Sequence, residues 1–355
     1  MSTVMVTGGA GFIGSNFIRY WLRKYPEDSV VNYDLLTYAG NLPNLADVAE
    51  EEADRYTFVQ GDIGDYDLAL STLHEHAPDY VVNFAAESHN SRAVLHPETF
   101  FQTNVVGTVQ LMRAALEAKV PRFHHISTCE VYGDLSLETD DVFTEDSPFL
   151  PKTPYNASKA AADMAVKAFH LTYDLQTTIS NCSNNYGPYQ FPEKVIPLFT
   201  VRVLQGEKMT LYKSSQNKRE YLHVDDHCRA IDLILKKGKV GEIYNIGSGL
   251  EVDVEGIADR ILSTLGLDDS FKTYVPDRPS HDRRYLLDSG KIRSELGWGP
   301  EVDFEEGFQM TVSWYKENES WWRPLIERAA IDEGNWEQSG GAGEKRAGEE
   351  PHRSS

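Results

Sequence analysis

Five side chains of different chemistry fall in two short stretches: Thr128, Cys129 and Glu130 within residues 126–133, and Tyr155 and Lys159 at the ends of Tyr155-Asn156-Ala157-Ser158-Lys159. Together they offer a hydroxyl, a thiol, a carboxyl, a phenol and an ammonium to one small molecule. Tyr155 and Lys159 stand four apart, so on a helix they share a face, and the ammonium is expected to lower the phenol's pKa. A phenol tuned in this way is a general base near neutral pH. Any surface helix can carry such a pair, so its meaning depends on the elements that position it.

Those elements begin with a strand over residues 2–7, after which Gly8-Gly9-Ala10-Gly11-Phe12-Ile13-Gly14 opens a helix towards Lys24. Glycines at 8, 11 and 14 permit a tight turn and let a pyrophosphate approach the backbone at the helix N-terminus. A second strand over 29–33 ends at Asp34, where a carboxylate would accept hydrogen bonds from adenosine ribose hydroxyls and repel a 2'-phosphate, favouring NAD over NADP. Strands over 56–60 and 80–84 end in Gly61-Asp62-Ile63 and Ala85-Ala86. Small residues there let a flat cofactor lie close to the backbone. A helix over 97–119 and a strand over 122–127 then lead into Thr128. The alternation predicts an α/β fold with a Rossmann-type doubly wound parallel sheet and ligands at the carboxyl ends of its strands.

Residues 133–153 are acidic and proline-punctuated and read as a loop, followed by a helix over 155–173. That helix and the one over 104–119 are rich in alanine and apolar residues, so they either meet their copies in a homodimer or pack on the sheet. The chain of 355 residues suits one large or two modest domains, and 55 acidic against 34 basic side chains give a net charge of -21. That balance argues against nucleic-acid binding, which needs clustered Lys and Arg. It fits a solvated acidic surface or a high-salt cytoplasm. Cys129, Cys182 and Cys228 show no metal-ligand spacing, so neither a metal nor structural disulfides are expected. No apolar run approaches the roughly 18 residues of a membrane span and no signal pattern opens the chain, so a cytoplasmic location with no membrane association is expected.

Several longer motifs resemble the extended short-chain dehydrogenases/reductases that act on nucleotide sugars, and among them the dTDP-glucose 4,6-dehydratases. They are Thr7 to Gly14, Ala85-Ala86-Glu87-Ser88-His89, Ser127 to Gly133, Tyr155 to Lys159, Asn181 to Lys194, Arg219 to His227, and Asp277 to Tyr285. The resemblance, from Val4 to about Trp298, implies that NAD contacts Gly8, Gly11, Phe12, Ile13, Gly14, Asp34, Leu35, Leu36, Thr37, Asp62, Ile63, Phe84, Ala85, Ala86, Ser88, Thr103, Tyr155, Lys159 and Asn185. It assigns a nucleotide-sugar substrate to Glu87, Thr128, Asn184, Lys194, Val195 and Arg219, with Asp277, Arg278, Pro279, Ser280 and His281 closing over the nucleotide. His227 and Asp226 are expected only to start a helix. The implied reaction is an internal redox cycle. Tyr155 with Lys159 deprotonates the sugar's 4-hydroxyl, Thr128 binds that oxygen, and Glu130 removes the C5 proton before water is lost and the hydride returns to C6.

In the dehydratases that this chain resembles, an Asp precedes the Glu and protonates the leaving hydroxyl; here the residue is Cys129. A thiol, with an ordinary pKa near 8.5, is protonated at neutral pH but donates weakly. Related GDP-mannose dehydratases carry Ser there, so Glu130 is expected to shuttle the proton, with Cys129 as packing or a weak donor. Asn90-Ser91 also departs from the usual Val-Asp. A UDP-glucuronate decarboxylase, another nucleotide-sugar epimerase or dehydratase, and a non-catalytic nucleotide-sugar-binding regulator are the competing readings. Residues 1–184 and 220–248 are expected to build the NAD domain, 185–219 and 249–325 a smaller C-terminal α/β substrate lobe, and 335–355 a disordered tail.

Overall fold

The computed structural model describes residues 1–213, 216–275 and 283–329. Its strands are β1 (Thr3–Thr7), β2 (Ser29–Asp34), β3 (Tyr56–Gln60), β4 (Tyr80–Asn83), β5 (Arg122–Thr128), β6 (Thr177–Cys182), β7 (Asn184–Tyr186), β8 (Met209–Tyr212), β9 (Lys218–His223), β10 (Ile243–Ile246), β11 (Glu251–Asp253) and β12 (Lys272–Val275). Seven form one parallel sheet in the order β3-β2-β1-β4-β5-β6-β10. The chain leaves β1 in one direction to lay down β2 and β3, then crosses back to lay down β4. The crevice at the carboxyl ends of β1 and β4 is therefore the switch point where such sheets bind ligands.

Alternation along each strand sends side chains to two separate cores. From β1, Val4 and Val6 pack with Phe17 and Trp21 of the helix Phe12–Lys24 and with Ile231 of the helix Val224–Lys237. Met5 packs on the other face with Leu111, Phe123 and Val166, under the helices Thr108–Glu117 and Pro154–Tyr173. The latter helix starts sharply because the Thr153 hydroxyl accepts from the Asn156 N–H and Pro154 supplies a preset first turn. This cap fixes where the turn carrying Tyr155 begins.

Two expectations change. Residues 220–223 do not join the central sheet: β9 pairs with β7 in parallel and with β11 antiparallel, so only β10 extends the large sheet from the 220–248 stretch. The buried Glu220 carboxylate accepts the N–H groups of Gly249 and Leu287 and ties β9 to the segments beside it. The helix over 97–119 is interrupted by a π turn, Gln102–Gly107, which re-aims Asn104. The Asn104 amide clasps both backbone groups of Glu87 and donates to the Ser158 hydroxyl, so the end of β4 is tied to the Tyr155 helix. Asp226 and His227 begin a helix as expected, and both also make hydrogen bonds within the chain. Asp226 accepts from the backbone of Glu301 and Val302, and His227 meets the Asn185 side chain at 2.9 Å.

After the helix Phe304–Glu317, the indole N–H of Trp322 donates to the Tyr315 carbonyl and that of Trp321 to Asn44. These bonds hold the C-terminal turns against the first helical layer. The tail 335–355 lies outside the described residues. Among the described residues no helix is long and apolar enough to cross a membrane.

Candidate active site

A cleft with a cavity volume of about 360 Å³ opens at the switch point, with the glycine turn on one side and Thr128, Glu130, Tyr155 and Lys159 on the other. The first half is shaped by what is missing. Gly8 sits at φ +68°, and a Cβ there would lie 2.7 Å from the Ala85 backbone nitrogen; one on Gly14 would lie 2.4 Å from the Gly8 carbonyl. Gly11 precedes the helix Phe12–Lys24 with no side-chain cap, so the first helical N–H groups are not covered by their own chain. A turn stripped of side chains at a helix N-terminus fits a pyrophosphate.

Asp34 ends β2 at the same wall. Its carboxylate accepts from Ala10 N–H at 2.9 Å and from Leu36 N–H at 2.7 Å. Burial raises its pKa, and these two bonds oppose the rise. Leu36, at φ +60°, thus contributes its backbone; Leu35 and Thr37 line the cleft beside it. Asp62, Ile63, Phe84, Ala85, Ala86, Ser88, Thr103 and Asn185 line the cleft as well.

The second half is held by side chains. Thr128 ends β5, and its hydroxyl accepts from the Glu130 N–H, closing the turn Cys129–Tyr132 that presents Glu130 to the cavity. Lys159 is 4% exposed; its ammonium donates to the Ile126 carbonyl at 2.6 Å and lies 3.4 Å from His125 Nε2. One helical turn on, the buried Asp163 accepts from Ser127 at 2.8 Å and stands 3.5 Å from the same His125 nitrogen. Burial lowers Lys159 to about 8 and raises Asp163 to about 7, each opposing the other's shift. Burial also pushes His125 well below its usual value, so the ring is neutral.

The expected lowering of the Tyr155 pKa is not seen. Burial raises the phenol well above its ordinary value, the Glu130 charge raises it further, and a hydrogen bond with Thr128 works the other way. Four-residue spacing puts Lys159 on the same helix face, and one of its three N–H groups goes to the Ile126 carbonyl. Spacing alone does not determine which acceptor a lysine reaches.

Cys129 also falls differently from a catalytic acid. It is 1% exposed, lies off the cavity wall, and packs with Val131, Tyr132, Phe143, Ala160, Tyr285 and Leu287. Burial raises its thiol well above the usual range, so it stays protonated. The cysteine that does line the cleft is Cys182, at the end of β6, paired across the sheet with Thr128.

Asn184, Lys194 and Val195 line the cleft, with the Lys194 ammonium donating to the Ser88 carbonyl at 2.9 Å. Glu87 lines it too, its pKa raised by burial and held back by Arg92. Arg219 lies outside that wall. Its guanidinium sits 4.9 Å over the Tyr285 ring and donates to the Lys218 carbonyl. Asp277, Arg278, Pro279, Ser280 and His281 lie outside the described residues.

Sequence reasoning passed over Glu193, Gln190 and Phe191 as individual wall residues, although they sit inside a motif it quoted. Glu193 accepts from the Tyr38 hydroxyl at 3.1 Å, and burial raises its carboxyl. Asn90 was noted only as a departure. Its amide donates to Glu130 Oε2 at 3.0 Å.

Known proteins resemble this chain over most of its length. The family model described as GDP-mannose 4,6 dehydratase matches residues 5–311. A dTDP-glucose 4,6-dehydratase of Streptomyces niveus is 47% identical over 326 residues, covering 91% of this chain and 95% of that protein. The crystal structure of DesIV, a dTDP-glucose 4,6-dehydratase of Streptomyces venezuelae with NAD bound, superposes with a TM-score of 0.87 at 48% identity, covering 91% of this chain and 99% of that one. The Bacillus anthracis dTDP-glucose 4,6-dehydratase in complex with NAD gives a TM-score of 0.85 at 44% identity, covering 92% and 100%.

Proposed function

The chain belongs to the dTDP-glucose 4,6-dehydratases of the extended short-chain dehydrogenase/reductase family, and from that premise we propose that it converts dTDP-glucose to dTDP-4-keto-6-deoxyglucose with NAD held throughout the turnover. The observation that carries the reading is the sharing of one cleft: the Gly8–Gly14 turn and Asp34 face the same cavity as Thr128, Glu130, Tyr155 and Lys159. Bound on the glycine turn, NAD supplies a reversible hydride acceptor. The protein's own residues handle the protons.

In this reading Tyr155 acts as the phenolate, a form that burial disfavours and the Thr128 hydrogen bond favours; it takes the proton of the sugar's 4-hydroxyl, and the Thr128 hydroxyl binds the oxygen as it becomes a ketone. Lys159, anchored on the Ile126 carbonyl, holds positive charge beneath them. The new ketone acidifies the C5–H bond, and Glu130 removes that proton. The 6-hydroxyl leaves as water on receiving it, and C6 ends with the hydride lost when the C4–H bond breaks. C5 takes back one proton, balancing the one that Tyr155 removed. Because the Cys129 thiol packs away from the cavity, Glu130 both takes the proton and delivers it. Lys194, Glu87 and Asn184 hold the sugar and diphosphate in this reading. For Arg219 we propose contact with the nucleotide from outside the described wall.

We also propose a cytoplasmic homodimer. Met164 and Leu171, seven apart on one helix face, are 56% and 83% exposed, and Phe101 and Val106 are exposed on the neighbouring helical stretch. Light scattering at low and high salt would return a dimer mass, and a monomer in both would overturn this.

The function is tested by incubating the protein with dTDP-glucose, UDP-glucose and UDP-glucuronate, at low and high salt, and following product masses. Loss of one water from dTDP-glucose is expected. Loss of carbon dioxide from UDP-glucuronate would make the chain a decarboxylase, and binding without turnover would make it a regulator.

A further inference from the structure

Of the two departures in the sequence, Cys129 precedes Glu130 in the chain and Asn90 meets its carboxylate. Asn90 opens the short helix Asn90–Leu95, which follows the end of β4, and its Nδ2 donates to Glu130 Oε2 at 3.0 Å. The other end of the same amide, Oδ1, accepts from the Thr153 hydroxyl at 2.8 Å. Thr153 in turn caps the Tyr155 helix, its oxygen accepting the Asn156 N–H at 3.2 Å. Each bond fixes the direction of the next. With its oxygen occupied by a backbone donor, the Thr153 hydroxyl has its proton to give to Asn90. The amide is then oriented with its oxygen towards Thr153 and its NH₂ towards Glu130.

We propose that Asn90 is a positioning residue for Glu130: it locks Oε2 as a hydrogen-bond acceptor, so that the proton taken from C5 is carried on Oε1 and passed from there to the leaving 6-hydroxyl. An NH₂ group cannot accept a hydrogen bond, so a carboxyl proton on Oε2 would face a donor. The proton therefore belongs on the other oxygen. This matters most in a chain whose neighbouring acid is replaced by a thiol packed among Tyr132, Phe143 and Leu287, away from the cavity. A single carboxylate that must both accept and release a proton gains from having one defined oxygen for both steps. The same amide links the base to the helix that carries Tyr155 and Lys159, so the groups acting at C4 and C5 share one frame. The step conserves atoms: the C5–H bond breaks, O–H forms on Glu130 Oε1, and that proton leaves with the 6-hydroxyl as water.

The proposal rests on the dehydratase reading, and the test separates the two. Asn90→Val removes the donor. Misplacing a reacting group by about an ångström can cost about 10²-fold, so kcat for the 4-keto-6-deoxy product should fall about ten- to a hundredfold. KM should hold, as should single-turnover reduction of bound NAD. In deuterated solvent, label entry at C5 should slow by the same factor. A packing defect would instead slow both half-reactions. Asn90→Asp, which places a like charge at Oε2, should fall further than Asn90→Val. If Asn90→Val melts early, Asn90→Leu, which keeps the γ-branched outline of asparagine, replaces it. An unchanged dehydration rate, or equal losses in the two half-reactions, would overturn the role of Asn90 while leaving the function intact. Absence of dehydration in the unaltered protein would overturn the function itself.

Discussion

On the Gly8 side of the cleft the wall is largely backbone and small residues at the ends of β1, β2, β3 and β4; on the Thr128 side it is polar side chains tied together by hydrogen bonds across distant segments. The first half works by leaving room: a pyrophosphate and a flat ring need nothing there but free N–H groups and the absence of Cβ atoms. The second works by orientation. Glu130 depends on Asn90, Lys159 on Ile126, and Asp163 on Ser127. Damage to the first half should therefore act on binding, and damage to the second on proton transfer.

The sharpest test of that division is Glu130→Gln. Loss of the general base should cut product formation by about 10²- to 10⁴-fold, while single-turnover reduction of bound NAD survives. Loss of both half-reactions would remove Glu130 from the role of C5 base. On the other side, Gly8→Val forces a branched residue into φ +68° and a Cβ against the Ala85 backbone. The strain alone costs roughly 1–3 kcal/mol. The purified variant should carry far less NAD per chain, measured by the absorbance of the released cofactor, and normal NAD content would break the comparison.

A smaller effect is expected behind Lys159. The Asp163 carboxyl holds its proton more tightly in the folded chain, where it titrates near 7, than in the unfolded chain. Its contribution thus favours the fold below the usual carboxylate range and is lost as pH rises towards about 7. Asp163→Asn has no such dependence and keeps an acceptor for Ser127. Relative to the parent it should gain a few °C in Tm between about pH 5 and about pH 8, and a parallel pair of melting curves would show that the carboxyl is already ionised at the lower pH. Cys129→Ser should change least, keeping kcat within about threefold, since the thiol packs away from the cavity. A fall of several orders of magnitude would make position 129 a proton donor after all.

Much of the first half was legible without coordinates because its signals are local. The glycine spacing, the strand ending at Asp34 and the small pairs after β3 and β4 each lie within one strand and turn, and β3 spans Tyr56–Gln60 as read. The second half was legible as a set of residues but not as an arrangement. Asn90 and Glu130 are 40 residues apart, and Thr153 and Asn90 are 63. Nothing in either stretch announces the other. The π turn that aims Asn104 at Glu87 also escaped notice, because the apolar pattern of residues 97–119 reads as one helix.

By itself, the order of residues determined the alternation of strands and helices, the switch point and the types of group available for chemistry, all of which depend on neighbours a few positions apart. Tertiary structure decided where those groups face. Cys129 and Cys182 are both buried thiols beside the catalytic stretch, yet only Cys182 reaches the cleft. The register of β5 against β6 sets Cys182 opposite Thr128, and the tight turn after Thr128 sends residue 129 into the Tyr132 and Phe143 cluster and residue 130 to the cavity. Burial settled the rest: how far a phenol, an ammonium or a carboxyl departs from its ordinary pKa depends on how much water the folded chain removes, and that is a property of packing.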